Sequence, residues 1–453
     1  MTENASQTIE SLRVTGPVFT PGDAGYAEEV AGFQTAYTHR PALVVGAVHA
    51  EDVRSAVEYA ARQGLPVAVQ ATGHGLSVAA DRGVLITTRR MDALSIDPRA
   101  RTARVGAGVR AGALVEAAAR HGLAPLNGSS PSVGVVGYVL GGGLGLLARE
   151  FGYAADHVRS IDLVTADGRM RTLTPADELF GAVLGSGGNF GVVTGLELDL
   201  VPVTEVYGGQ LIFDTPLVDT ALETWREWTA TLPDTLTSTV AVVTFPDIPP
   251  VPQPLRGRHV ASIRIAFHGQ AEEGEQLVAP LRAIGGRLRD SVRTMPYTES
   301  HTIHSDPDFP HAYAATNALL TELTADGLAA LRGLTAPGGP VDAVVDIRHL
   351  GGALRRGTGV AVDHREAEYA VRVITDAGVG DAAPAGLAMV REALAPWTVG
   401  HSLNFLYGAG AAADAAQTRA GYALGTYAGL VAAKAKYDPH NMFRFNRNIA
   451  PVG

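Results

Sequence analysis

The chain has 453 residues, 46% of them apolar and 18% charged, the composition of a folded globular protein long enough for two cores. A formal net charge of −10 speaks against a polyanionic partner, because nucleic-acid affinity comes chiefly from Lys and Arg neutralising phosphates. Cysteine is absent, so disulfides, thiolate metal sites and cysteine nucleophiles are excluded, and any covalent chemistry falls to other side chains.

The start, Met1 to Ser11, is polar and lacks the basic lead and apolar core of a signal peptide. No run of 18 apolar residues follows, so a soluble, cytoplasmic protein with no membrane partner is expected. Ala42 to Val48 is a compact apolar run that predicts a strand. Glu51 to Gln63 then carries Val53, Ala56, Val57 and Ala60 at helical spacing before Gly64 stops the helix. Leu65 to Gln70, Gly83 to Thr88 and Thr102 to Gly106 predict three more short strands, and Arg110 to His121 a helix ended by Gly122. The Asp-Gly step in Ala166-Asp167-Gly168, between Ile161–Thr165 and Arg169–Leu173, predicts a β-hairpin. After Pro202 the glycine clusters thin out, and a Pro-rich loop, Pro246 to Pro254, interrupts strand-like runs such as Ala261–Phe267 and Val344–His349. A domain boundary is therefore expected near Glu205.

Three glycine clusters carry the candidate chemistry. In Gln70-Ala71-Thr72-Gly73-His74-Gly75 a strand runs into small residues whose backbone N–H groups can approach an anion such as a pyrophosphate, although the same residues suit a plain tight turn. Neither a Walker sequence nor a GxGxxG after a strand is present, so P-loop and Rossmann binding are unsupported. Asn127 to Gly134 continues through Val135 to Gly145 with a glycine density that is costly in a helix or strand unless a ligand packs closely on it. Gly185 to Val193 repeats the property.

These clusters, in this order, with the ending Tyr437-Asp-Pro-His-Asn-Met-Phe-Arg-Phe-Asn446-Arg-Asn448-Ile-Ala-Pro451, resemble the berberine bridge enzyme-like oxidases, flavoproteins of the vanillyl-alcohol oxidase type. The resemblance covers roughly the first 200 and last 50 residues. It implies an α+β fold of two domains: residues 1–205 binding FAD, 206–400 forming an antiparallel-sheet substrate domain, and 401–453 returning to the FAD-binding domain. It further implies that Ala71, Thr72, Gly73 and His74 cradle the pyrophosphate, that His74 bonds the flavin 8α-methyl carbon, and that Gly75 and Leu76 complete the turn. A neutral imidazole nitrogen is a reasonable nucleophile for that bond. Where many relatives carry a second attaching cysteine this chain has Ser130, which leaves a single link and makes Ser130 a turn residue or hydrogen-bond donor. Pro131, Ser132, Val133, Gly134, Gly137 and Gly142 map onto the family's flavin-lining backbone, Asn189, Gly191 and Val193 onto its adenosine side, and Asn446 and Asn448 are the cofactor contacts of the ending.

The sequence departs from the family pattern at Gly181 and Leu184, where Trp and Arg are frequent, so local packing must differ. The family's Tyr-x-Asn becomes Ser402-Leu403-Asn404, and serine cannot replace a phenol as base. Asn404 remains as a partner for flavin or substrate, and Tyr138 is the phenol left to serve catalysis. His301, His304, Asp306 and His311 match no metal-ligand spacing and read as a solvated loop beside the substrate mouth, so no metal is expected. Arg348-His349 lies on a strand whose face roofs the active site in relatives, and a structural ion pair suits it equally. The implied function is an FAD-dependent oxidase that takes hydride from a small specialised metabolite and passes electrons to O2, giving H2O2. A flavin monooxygenase, a cyclase and a silent flavin-binding protein are the alternatives.

Overall fold

The short apolar runs of the N-terminal half fold into two small sheets; the computed structural model describes residues 12–379, 382–408 and 414–452. The first sheet contains β1 (Val18–Phe19), β2 (Leu43–Gly46), β3 (Val67–Gln70) and β4 (Val84–Thr87) in the order β1-β2-β4-β3. Because β4 runs parallel to both β2 and β3, a crossover is required, and helix α1 (Ala50–Gln63) supplies it. Val53, Ala56, Val57 and Ala60 form its buried face, as their spacing predicts, and Gly64 caps it in the left-handed conformation at φ 63°.

The second sheet is antiparallel: β5 (Leu94–Asp97), β6 (Thr102–Gly106), β7 (Val158–Val164), β8 (Met170–Leu173) and β9 (Val192–Asp199), in the order β5-β6-β9-β7-β8. The expected hairpin is β7–β8, turning at Asp167-Gly168. Helix α2 (Ala111–Ala119) lies inside the predicted span. The second glycine cluster, in which a helix is costly, nevertheless contains helix α3 (Val135–Leu140), whose Val135, Val136, Val139 and Leu140 are buried. Those apolar contacts outweigh the single glycine, Gly137, in its middle.

From Glu205 a third sheet of nine strands begins: β10 (Glu205–Phe213), β11 (Leu236–Thr244), β12 (His259–Phe267), β13 (Arg289–Asp290), β14 (Arg293–Pro296), β15 (Ala314–Leu320), β16 (Val344–His349), β17 (Tyr369–Thr375) and β18 (Thr398–Gly400). The order is β13-β10-β12-β11-β16-β17-β15-β18, with β14 also on β10, and every pairing is antiparallel. Strand alternation divides it cleanly. Ala261, Ile263, Ile265, Val345, Ile347, Val371 and Val373 pack against helices α4 (Val218–Thr229), α5 (Ala271–Arg282), α6 (Ala325–Thr335) and α7 (Ala382–Leu394). The intervening residues, Ser262, Arg264, Asp346, Arg348 and Arg372, take the opposite face. One face thus makes a core, and the other presents polar groups to the N-terminal half.

Helix α8 (Leu424–Tyr437) leads the chain back to the small sheets. The Val67 N–H donates to the Met442 carbonyl at 2.9 Å, which fastens the ending to β3. Lys434 is fully buried; its ammonium pairs with Asp438 at 2.8 Å and donates to the Asn189 and Phe443 carbonyls. Asp438 in turn accepts from the Met442 and Phe443 N–H groups. Gly181 shows why a large residue is missing there: a Cβ on it would stand 2.2 Å from the Gly359 carbonyl oxygen. Gly181 and Leu184 instead offer their carbonyls to the Ala361 N–H.

Candidate active site

A cavity of about 470 Å³ lies between the glycine clusters, the C-terminal segment and the polar face of the large sheet. The loop after β3 forms one wall, with Ala71, Thr72, Gly73, His74, Gly75 and Leu76 all on it. Its path is set by Gln70, whose buried amide donates to the Val30 and Ala31 carbonyls at 3.2 Å, and by Gly73. At Gly73 φ is +73°, and a Cβ would meet the Gly32 Cα at 2.6 Å, so any side chain is both strained and blocked. Ser130, Val133, Gly134, Gly137 and Tyr138 of the second cluster line the cavity, as do Gly191 and Val193 of the third and Asn446 of the ending.

His74 is the most constrained group. Its ring stacks on Phe33 at 3.7 Å between centroids and 16° between planes. Nε2 lies 2.9 Å from the Ser132 hydroxyl, which lies 3.0 Å from the Ser130 hydroxyl. Burial, followed by the nearby Arg110 charge, pushes the His74 pKa down to about 4. The imidazole is therefore neutral at physiological pH and keeps a nucleophilic lone pair.

The cavity fits a dinucleotide on two independent grounds. A Cβ added to Gly75, Gly137, Gly187 or Gly188, all on the wall, meets no protein atom within 4 Å, so the missing side chains leave room for a ligand lying on bare backbone. The Oδ1 atom of Asn446, on the wall, is buried with no partner among the described residues, which suits a donor on a bound ligand.

Several residues mapped to the cofactor stand behind the wall instead. Pro131 is exposed at its own turn, and Gly142 packs on Val362 and Tyr153. Ser132 acts through His74, and Asn448 is half-buried and does not line the cavity. Asn189 is fully buried: its amide donates to the Ser186 carbonyl at 2.7 Å and the Arg447 carbonyl at 3.0 Å, and its Oδ1 accepts from the Ile449 N–H. It braces the C-terminal segment against the third glycine cluster rather than facing an adenosine.

Tyr138 and Asn404 meet, but not as a catalytic pair. The Asn404 amide donates to the Tyr138 backbone carbonyl at 2.9 Å, while the phenol donates to the Leu126 carbonyl at 3.1 Å. Burial drives the phenol pKa well above its ordinary value, so the expectation of Tyr138 as base is corrected to a packing role with a satisfied hydroxyl.

The loop read as solvated beside the substrate mouth is exposed at His301, Ser305 and 307–310 and lies at the cavity, but is not solvated throughout. Tyr297–Ile303 is a 3-10 helix, His304 is buried, and Asp306 and His311 line the cavity; His301 is the exposed member. The Asp306 carboxylate accepts from the Ser129 hydroxyl. Among the described residues no group of three or more His, Cys, Asp or Glu could hold a metal. Arg348 is at once a cavity wall and half of an ion pair, with its Nε 3.0 Å from Asp346, whereas His349 Nε2 lies 3.0 Å from Arg149. Sequence reasoning missed Arg264, Asp346 and Arg372, which join this cluster, and the cavity phenols Tyr313 and Tyr407. The available signal was a charge in the middle of each otherwise apolar strand, in Ser-Ile-Arg-Ile-Ala-Phe, Val-Val-Asp-Ile-Arg and Tyr-Ala-Val-Arg-Val-Ile.

Two family models match in chain order: an FAD binding domain over residues 41–174, and the berberine and berberine-like family over residues 419–450. The (R)-6-hydroxynicotine oxidase of Paenarthrobacter nicotinovorans is 28% identical over 99% of this chain and 100% of its own. An FAD-linked oxidoreductase of Dictyostelium discoideum is 26% identical over 100% of this chain and 98% of its own. The crystal structure of 6-hydroxy-D-nicotine oxidase from Arthrobacter nicotinovorans superposes with a TM-score of 0.83 at 26% identity, covering 97% of this chain and 99% of that one. Xylooligosaccharide oxidase from Myceliophthora thermophila shares the fold at a TM-score of 0.84 and 20% identity, over 98% and 99% of the two chains. The cavity, the two segments and the full-length similarities agree: this chain carries an FAD binding domain and a berberine-like C-terminal segment, and is similar along its whole length to FAD-linked oxidoreductases.

Proposed function

We propose that the protein is an FAD-linked oxidase acting on a small organic metabolite, with the flavin attached once, through His74. The observation that carries this reading is the state of His74: half-buried, neutral and held between Phe33 and Ser132 on the cavity wall. In this reading residues 1–205 and 401–453 hold the cofactor, and 206–400 cover the substrate. FAD, when bound, supplies a two-electron acceptor that takes a hydride equivalent from substrate and passes the electrons to O2, giving H2O2.

The chain's own residues bind and orient. Ser132 fixes the His74 ring through Nε2, so that Nδ1 is the nitrogen free of hydrogen bonds to the described residues. Ser130 stands where a second attachment would require a thiol, and it steadies Ser132 instead. Gly75, Gly134, Gly137 and Gly191 let the backbone approach the cofactor, and Asn446 offers it an unpaired acceptor. Asn404 locks α3 beneath the cavity by holding the Tyr138 carbonyl.

The test is the visible spectrum of purified protein before and after acid precipitation, with intact mass on the pellet. Yellow colour and the mass of one FAD staying with the wild-type pellet, and dissociable flavin alone in His74→Ala, is the expected result. Colour released from wild type to the supernatant cancels the covalent link, and peroxide absent from every turnover cancels the oxidase. The second reading, a flavin monooxygenase, draws on the satisfied Tyr138 hydroxyl and on Ser402, which together remove the phenol base from the usual positions. Under 18O2 an oxidase leaves the label in peroxide or water, and a monooxygenase places it in product.

A further inference from the structure

Resting on the reading of the cavity as the FAD and substrate site, we infer that the substrate is a carboxylate, bound against Arg348 and Arg372 on the polar face of the large sheet. Three guanidinium groups converge on one buried carboxylate: Arg264, Arg348 and Arg372 reach Asp346 at 3.1, 3.0 and 3.2 Å. The other carboxylate in the cluster is Asp306, and His304 beside it is held neutral by burial and by Arg264. Three positive charges therefore face two negative ones, inside a wall where an uncompensated charge is costly.

The surplus is located at the cavity. Arg348 and Arg372 line it, whereas Arg264 lies deeper, on a small adjoining void. Of the two on the wall, Arg372 has a buried Nε with no acceptor, and its Nη1 reaches only the Tyr407 hydroxyl, at 3.5 Å. Both guanidinium groups stand 5.0 Å from the Phe405 ring, which lies on the same wall. A carboxylate entering the cavity would meet two planar donors of matching geometry, with an aromatic surface for its carbon body. The nearest competing use of the surplus, stabilising negative charge on reduced flavin, is an outcome of the test.

The experiment is a titration of the FAD-loaded enzyme at constant ionic strength with benzoate, benzamide and benzylamine, read by perturbation of the flavin spectrum and separately by thermal shift. Benzoate is expected to saturate both signals, with benzamide at least about tenfold weaker and benzylamine without effect. Arg372→Met should weaken benzoate by about tenfold or more, and Arg372→Lys by less, because it keeps the charge but loses the fork. Asp306→Asn should tighten benzoate, since it enlarges the surplus; a merely structural role for Asp306 predicts no such gain. Equal binding of benzamide, preference for benzylamine, or no benzoate response overturns the inference. So does an Arg372→Met enzyme whose flavin midpoint potential falls while benzoate affinity stays, because the charge then serves the flavin. The flavin spectrum before titration reports on cofactor binding alone, and thermal shift does not need it, so failure of the oxidase reading and failure of the anion site are told apart.

Discussion

A neutral His74 should make covalent attachment insensitive to mild acid. An imidazole with its ordinary pKa of about 6.5 is roughly nine-tenths protonated at pH 5.5 and loses its nucleophilic lone pair in proportion. With the pKa pushed down to about 4, the His74 ring is almost wholly neutral at that pH. The attachment rate at pH 5.5 should therefore exceed that of an unperturbed histidine by about tenfold and match its own rate at pH 7.5. The assay incubates apoprotein with FAD between pH 5 and 8, quenches in acid and counts the covalently held flavin by intact mass. The same shift has a sign for stability. The unfolded chain takes up a proton near 6.5 that the folded chain refuses until about 4, so folding stability declines as pH falls through that window. His74→Ala should remove that part of the slope. An attachment rate that halves near pH 6.5, with the slope unchanged in His74→Ala, would refute the reasoning.

Other perturbations test other parts of the site. Gly137→Ala should act with opposite signs: the apoprotein gains about 0.5–1 kcal/mol from helix propensity, while the new methyl enters the cavity and weakens FAD, as thermal denaturation and FAD titration would record. Lys434→Met leaves Asp438 buried beside no cation and should cost about 3–5 kcal/mol in urea unfolding; a loss within the error of that experiment would remove the latch. Gly181→Trp forces a side chain into the Gly359 carbonyl and should lower the melting temperature by several degrees or prevent folding. Tyr138→Phe should keep the flavin reduction rate within about threefold, because the lost hydroxyl bonds only the Leu126 carbonyl; a hundredfold fall in stopped-flow reduction would restore it as a base.

Local signals in the sequence were read correctly wherever one element decides the outcome. The spacing of Val53, Ala56, Val57 and Ala60 and the stop at Gly64 place α1, and the Asp-Gly turn places β7–β8. The loop from Ala71 to Leu76 and His74 itself lie on the cavity for the same reason: strand, tight loop and small residues are contiguous in the chain. What escaped depends on partners outside the segment that carries the signal. Asn189 looks like a ligand contact until Ile449 and Arg447, some 260 residues on, take up its amide. Tyr138 looks like a free phenol until the fold brings the Leu126 carbonyl to it. The cluster around Asp346 requires strands β12, β16 and β17 to be in register, and no single segment contains it.

The fastening of the chain's ending to β3 has a consequence for biosynthesis. Phe443, Phe445, Asn446 and Arg447 are walls of the same cavity as Ala71–Leu76, and Asn189 with Lys434 braces them from behind. During translation the glycine loops emerge hundreds of residues before these walls, so the nascent N-terminal half presents a pocket with one side missing. A stretch made long after the glycine loops is thus the one that completes the flavin's enclosure, and loading with FAD becomes a report that synthesis has passed Arg447.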